Sequence, residues 1–199
     1  MRKIIYYVAS SIDGYIMDSD ETIEKFVGDG SGVEQYLNDL KSFDTVIMGR
    51  KTYEFGYKFG LQPGQAPYPN KKHHIFSKTL RFENSDKNIE VCELDLAIIK
   101  QIKNDSETDI YLAGGGEFAG WLLENEQIDI LKIKLNPLIL GNGVRLFRRC
   151  NPSIEPSKIL FSLPLFSGRR FYCRLVCLCI TDSLCPFDFG FCWRRRQFI

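Results

Sequence analysis

The chain has 199 residues, 44% of them hydrophobic, 26% charged and 13% aromatic, with a formal net charge of +1. That composition supports one well-buried core. It excludes a disordered chain and a collagen-like fibre, and no run approaches the roughly 20 apolar residues of a membrane span. Residues 4–9 (IIYYVA) are apolar throughout and rich in β-branched and aromatic side chains, which predicts a strand covered on both faces. Asp13-Gly14 ends it as a turn. Residues 32–42 place Val33, Tyr36, Leu37 and Leu40 at helical spacing. Residues 45–48 (TVIM) predict a second buried strand, and a short helix follows over 51–57.

Residues 59–70 form a Pro/Gly loop, and 74–77 and 89–92 read as short strands. Residues 94–103 predict an amphipathic helix, and 109–113 a strand running into three glycines. Helix 117–125 follows, with Phe118, Trp121 and Leu122 on one face. Residues 128–135 alternate Ile130, Lys132 and Lys134 with Leu131, Ile133 and Leu135, which predicts a strand with one wet face. Residues 158–166 and 169–180, joined at Ser167-Gly168, predict a terminal antiparallel hairpin. The alternation of strands and helices predicts an α/β fold with a mostly parallel sheet and helices on both faces. The chain reads as one domain over 1–180 and an atypical tail over 181–199, which mixes Phe187, Phe189, Phe191 and Trp193 with Arg194, Arg195 and Arg196.

Two strand-to-helix junctions carry candidate chemistry. Gly49, Arg50, Lys51 and Thr52 open a helix directly after a buried strand. Uncapped amides, a dipole and two cations there suit phosphate, and the alternative is a turn with two solvated cations. The stretch lacks the upstream glycine of a P-loop. Gly114, Gly115, Gly116, Glu117 and Phe118 form the second junction, suited to a diphosphate, with a plain tight turn as the alternative. With Ala119 they match G-x-G-x-x-A, but Lys132 to Leu135 stand where a Rossmann domain needs an acid. Ser77 and Lys78, at a strand end, offer a hydroxyl and an ammonium for a further phosphate, and taken alone they read as a surface loop. The two glycine junctions both fall at carboxyl ends of parallel strands, where open α/β sheets bind ligands.

These residues are familiar as a set. Residues 8–16 (VASSIDGYI), 46–54 (VIMGRKTYE), 75–79 (IFSKT), 112–118 (LAGGGEF) and 137–147 (PLILGNGVRLF) occur in the order found in dihydrofolate reductases. The chain resembles still more closely the reductase domain of the bifunctional riboflavin-biosynthesis deaminase-reductase and its stand-alone relatives. The resemblance covers residues 3–147 and implies a dihydrofolate reductase-like three-layer α/β/α fold with an eight-stranded sheet. It implies NADPH along the carboxyl edge. Ala9 and Ile16 would border the nicotinamide, Gly49 to Thr52 and Gly114 to Phe118 would hold phosphates, and Ser77 and Lys78 would lie near the adenine ribose. Arg50, Lys51 and Lys78 suit a 2′-phosphate, hence NADPH rather than NADH.

The resemblance also expects a proton-donating carboxylate on the helix near Val33, which is apolar here. Glu34 lies one position on, about 100° around an ideal helix. Asp13 is the second acidic candidate, its other role being to stabilise the turn before Gly14.

The remaining features point to less. His73 and His74 fall on opposite faces of a strand, so no metal is expected to join them. Cys92 and Cys150 precede residue 160, while Cys173, Cys177, Cys179, Cys185 and Cys192 follow it without a C-x-x-C pair. Their odd number argues for reduced thiols. Residues 1–159 carry 20 lysines and arginines against 23 acids, which argues against general nucleic-acid binding. The run 4–9 is too short for a secretory signal. The expectation is a cytoplasmic, homodimeric, NADPH-dependent reductase of a small heterocyclic or ribosylamino-type substrate. The competing reading is a nucleotide-binding protein without turnover.

Overall fold

Strand burial follows the apolar runs. In a computed structural model, which describes residues 1–148, 150, 159–162 and 176–178, β1 (Ile4–Ser10) lies between two parallel neighbours. It turns Ile4 and Tyr6 to one face and Tyr7 to the other, all three almost fully buried. The same two-sided burial marks β3 (Thr45–Gly49) and β6 (Ile110–Gly114). The other main-sheet strands are β4 (Lys72–Phe76), β5 (Ile89–Cys92), β7 (Ile130–Leu135), β9 (Ile159–Ser162) and β10 (Val176–Leu178). Their order is β10-β9-β7-β1-β6-β3-β4-β5. Seven of the eight run parallel, and β10 closes the sheet antiparallel to β9. The predicted hairpin thus pairs as expected where its strands are described. Its turn at Ser167-Gly168 and the tail 181–199 lie outside the described residues.

Helices cover both faces, because each strand turns apolar side chains both ways. On one face α3 (Leu96–Asp105) and α4 (Gly116–Glu124) bury Ile99, Ile102, Phe118 and Leu122 against Tyr6, Ile47, Leu112 and Leu131. On the other, α1 (Ser31–Leu40) and the short α2 (Arg50–Phe55) bury Leu40 and Tyr53 beside Tyr7, Val46, Met48 and Tyr111. The start of α3 is capped by the Asp95 carboxylate, which accepts from the Ala97 amide at 2.8 Å.

Two sequence expectations differ from the structure, and one element was not expected. Leu37 is 55% exposed, so the buried stripe of α1 is narrower than its spacing suggests. The face of β7 that carries Lys132 and Lys134 is not wet. The Lys134 ammonium donates to the Val27 carbonyl at 2.7 Å, and Lys132 pairs with Asp39 while lying 4.4 Å above the Tyr7 ring. Long aliphatic stems let these residues line a covered face while their amines find oxygen partners. A small antiparallel sheet of β2 (Tyr15–Met17) and β8 (Val144–Arg145), unmarked in the sequence, ties residues 11–17 to the 136–147 segment.

Candidate functional site at the carboxyl edge

All parallel strands end along one rim, so the sheet brings Ser10, Gly49, Phe76 and Gly114 to the same edge. Gly49 pairs in register with Phe76, and Met48 with Gly114. The register between β3 and β6 skips Ala113, a local bulge where the chain leaves the sheet for the glycine turn. The Gly114–Gly115 peptide is cis, and Gly114 has φ +122°. A φ in that range is open to glycine and strained for other residues.

The two junctions touch. A methyl group on Gly49 would lie 3.2 Å from Phe118 Cβ and 3.9 Å from the Gly115 nitrogen. One on Gly115 would lie 2.9 Å from Thr52 Oγ1. Lys51 Nζ stands 3.7 Å from Glu117 Oε1, an ion pair that joins the first turns of α2 and α4. Neither helix start carries a side-chain cap. The junction therefore gathers two sets of helix-start amides. Arg50 pairs with Glu54 at 3.1 Å and remains partly exposed.

Gly116 has a different task. A methyl group there would lie 2.3 Å from the Arg145 carbonyl oxygen, and the Arg148 amide donates to the Gly116 carbonyl at 2.9 Å. Its bare backbone seats the 145–148 segment. Past it opens a cavity of ≈540 Å³ lined by Glu117, Gly143, Arg145, Phe147, Arg148 and Cys150. Arg148 approaches Glu117 to 3.9 Å, and Arg145 lies 5.1 Å from the centre of the Tyr15 ring. Neither arginine stands out in the sequence. Nothing in local spacing marks them, since their place beside α4 follows from the backbone contact at Gly116.

Ser77 Oγ accepts from the Thr79 and Leu80 amides at 3.1 and 2.9 Å, so it shapes the turn after β4, with exposed Lys78 beside it. Ala9, at the end of β1, and Ile16, on β2, are half-buried, and the Ser11 amide donates to the Tyr15 carbonyl at 2.8 Å to fold β2 back.

The acidic candidates stand apart. Asp13 accepts amide hydrogens from Leu140 and Gly141 at 3.1 and 2.7 Å, which pins its turn to the loop beyond β7. Desolvation pushes its pKa up, but hydrogen bonds from Ser11, Gly141, Leu140 and its own amide outweigh that and hold the carboxyl at about 2. Glu34 is exposed on α1, and among the described residues no hydrogen bond or ion pair links its side chain to either glycine turn. The ionisable group that the sheet places beside Ala9 is instead Lys134, its register partner on β7. Lys134 is only 6% exposed, and burial lowers its pKa, opposed by the charge of Asp29.

Residues 2–156 match the family model of the RibD C-terminal domain. The chain belongs to the RibD C-terminal domain family. The chain is also similar to two uncharacterised proteins of Bacillus subtilis strain 168. YwjB is 31% identical over 149 residues, covering 73% of this chain and 83% of its own length. YyaP is 24% identical over 156 residues, covering 73% and 80%. The RibD C-terminal fold recurs among solved structures. A protein assigned to riboflavin biosynthesis from Shewanella sp. PV-4 matches with TM-score 0.64 and 22% identity, over 80% of this chain and 89% of that one. The diaminohydroxyphosphoribosylaminopyrimidine deaminase/5-amino-6-(5-phosphoribosylamino)uracil reductase of Thermotoga maritima matches with TM-score 0.56 and 14% identity, over 80% and 52%. The dihydrofolate reductase of Enterococcus faecalis, complexed with NADP(H) and RAB-propyl, matches with TM-score 0.56 and 14% identity, over 86% and 91%. The fold resemblance expected from the motifs is therefore present.

Proposed function

We propose that this member of the RibD C-terminal domain family is an NADPH-dependent reductase of a small heterocyclic substrate, of pteridine, flavin, pyrimidine or ribosylamino type. The observation that carries the reading is the apposition of the α2 and α4 starts, joined by the Lys51–Glu117 pair at 3.7 Å. The site suits a dinucleotide: two uncapped helix starts side by side, glycines where backbone must approach a ligand, and Arg50, Lys51 and Lys78 along the rim. Gly49, Arg50, Lys51 and Thr52 would hold one phosphate region, Gly114 to Phe118 the diphosphate, and Ser77 with Lys78 the ribose side. Ala9 and Ile16 would border the nicotinamide ring. NADPH, when bound, supplies the hydride. The chain's own part is to fix distance and orientation, and to offset the negative charge that develops on the acceptor. Lys134, beside Ala9, is the group we assign to that charge.

Fluorescence titration with NADPH and NADH tests the cofactor assignment. Replacing Arg50 and Lys51 together by Ala weakens NADPH more than NADH if the 2′-phosphate lies there, and equal losses remove that assignment. Loss of nicotinamide absorbance with a panel of pteridine, flavin and pyrimidine substrates tests turnover. One observation favours a second reading, a nucleotide-binding protein without turnover. Val33 occupies the expected acid position, and Asp13 is engaged in its turn. Tight NADPH binding with no turnover across the panel selects it.

A homodimer is also proposed. The reading rests on the terminal strand β10, which ends the order of the main sheet's described strands and offers backbone groups of the kind that pair across a dimer. Light scattering on the eluting peak measures it.

A further inference from the structure

Outside the carboxyl-edge groove, β4 and β5 bring three ligand-type side chains to one place. The strands are parallel and pair His74 with Glu90 and Phe76 with Cys92. Glu90 and Cys92, two apart on β5, turn to the same face as His74. His74 Nδ1 lies 3.1 Å from Glu90 Oε2 and 3.8 Å from Cys92 Sγ, and the donor atoms of all three residues fall within 4.8 Å of one another.

We propose that His74, Glu90 and Cys92 form a binding site for a divalent transition-metal ion of the zinc class, with water as the fourth ligand. The geometry sets the class. Bonds of about 2.0 Å to nitrogen and oxygen and about 2.3 Å to sulfur put tetrahedral ligands about 3.3 Å (N to O) and about 3.5 Å (N to S) apart. The observed 3.1 and 3.8 Å need shifts of only a few tenths of an ångström. The remaining sulfur-to-carboxylate gap closes by rotation of Glu90, whose side chain is 68% exposed. Imidazole and thiol donors exclude magnesium and calcium, which take oxygen. A thiolate and a carboxylate neutralise a 2+ ion, and the Cys92 thiol proton leaves to solvent as the metal–sulfur bond forms.

The site has one open side and one closed one. Cys92 is buried in the cluster that includes Ile99 and Ile102 of α3, while Glu90 faces water. Lys72 and Asp105 are the other charges acting on His74, and they oppose each other. The ion would tie edge strand β5 to β4. The Cys92 carbonyl already accepts the Ser77 amide at 2.9 Å, so the bridge would also steady the turn after β4.

The test is calorimetric titration of the full chain, stripped with chelator, with Zn²⁺ alone, and a parallel Co²⁺ titration followed by absorbance. The expected result is a thiolate-to-cobalt charge-transfer band and zinc affinity that fall in Cys92→Ser and in His74→Asn. The fall should be at least about a hundredfold, the upper end of what losing an outer partner of a ligand costs. Glu90→Gln changes a side chain on the exposed side and should leave the fold intact, so reduced zinc affinity there supports the site even if a core variant misfolds. Cys150 and the five later cysteines are the competing thiols. A cobalt–thiolate band that survives Cys92→Ser, zinc affinity unchanged in Glu90→Gln, or no zinc binding at all overturns the proposal.

Discussion

Asp13 shows how a candidate acid becomes a structural one. Its two oxygens take the Leu140 and Gly141 amides, and the folded pKa sits at about 2 against an ordinary 3.8. A depressed carboxyl stabilises the fold at pH above its unfolded value and loses that contribution as pH falls through the folded one. Melting temperature should therefore drop between about pH 4 and pH 2, and Asp13→Asn should flatten that part of the profile. His73 works in the same direction at milder pH. It is buried, its Nε2 accepts from the Tyr68 amide at 3.2 Å, and burial pushes its pKa down to about 4 from 6.5. Its neutral form favours the fold in full above pH 6.5, and the contribution fades as pH falls toward 4. His73→Gln should lessen the loss of stability in that window, read by thermal unfolding. Lys134 is the residue on which chemistry should depend. Lys134→Met should lower turnover about a hundredfold, within the usual range for a group that handles charge or a proton, while leaving the NADPH titration unchanged. Unchanged turnover removes Lys134 from the reaction.

Among the elements, strands buried on both faces were the most legible. The IIYYVA and TVIM runs have no charged residue to place outward, so a central strand is the best fit. The helix starts were equally plain, because Gly49 and the three glycines interrupt apolar strands just before amphipathic turns. What local pattern misjudged was β7, where alternating lysines signal a wet face, yet those lysines are held by Asp39 of α1 and the Val27 carbonyl. A strand's period tells which residues share a face, but not what lies over it. The β2–β8 pair was invisible for a related reason: strands of three and two residues hold no period. Gly116 belongs at this scale, since it sets the spacing between α4 and the 145–148 segment. Gly116→Ala should destabilise by about 1–3 kcal/mol through overpacking, measured by denaturant unfolding. It should also loosen the cavity wall built by Arg145 and Arg148.

Across the whole molecule, the sheet order makes the site. β3 and β6 are 60-odd positions apart in the chain, yet they are neighbours, and so their glycine ends meet. The central strands should therefore carry much of the stability. Leu112, fully buried on β6, should cost about 2–5 kcal/mol on replacement by Ala, seen as a lower denaturation midpoint. The amino-acid sequence by itself determined the α/β class, the principal strands and helices and the two glycine junctions, because burial pattern and backbone freedom are written locally. Tertiary structure alone decided that Lys51 reaches Glu117, that Lys134 stands beside Ala9, and that His74 meets Glu90 and Cys92. Each of those contacts depends on which strands pair and in what register. That choice is a property of the packed sheet, set by burying both of its faces at once.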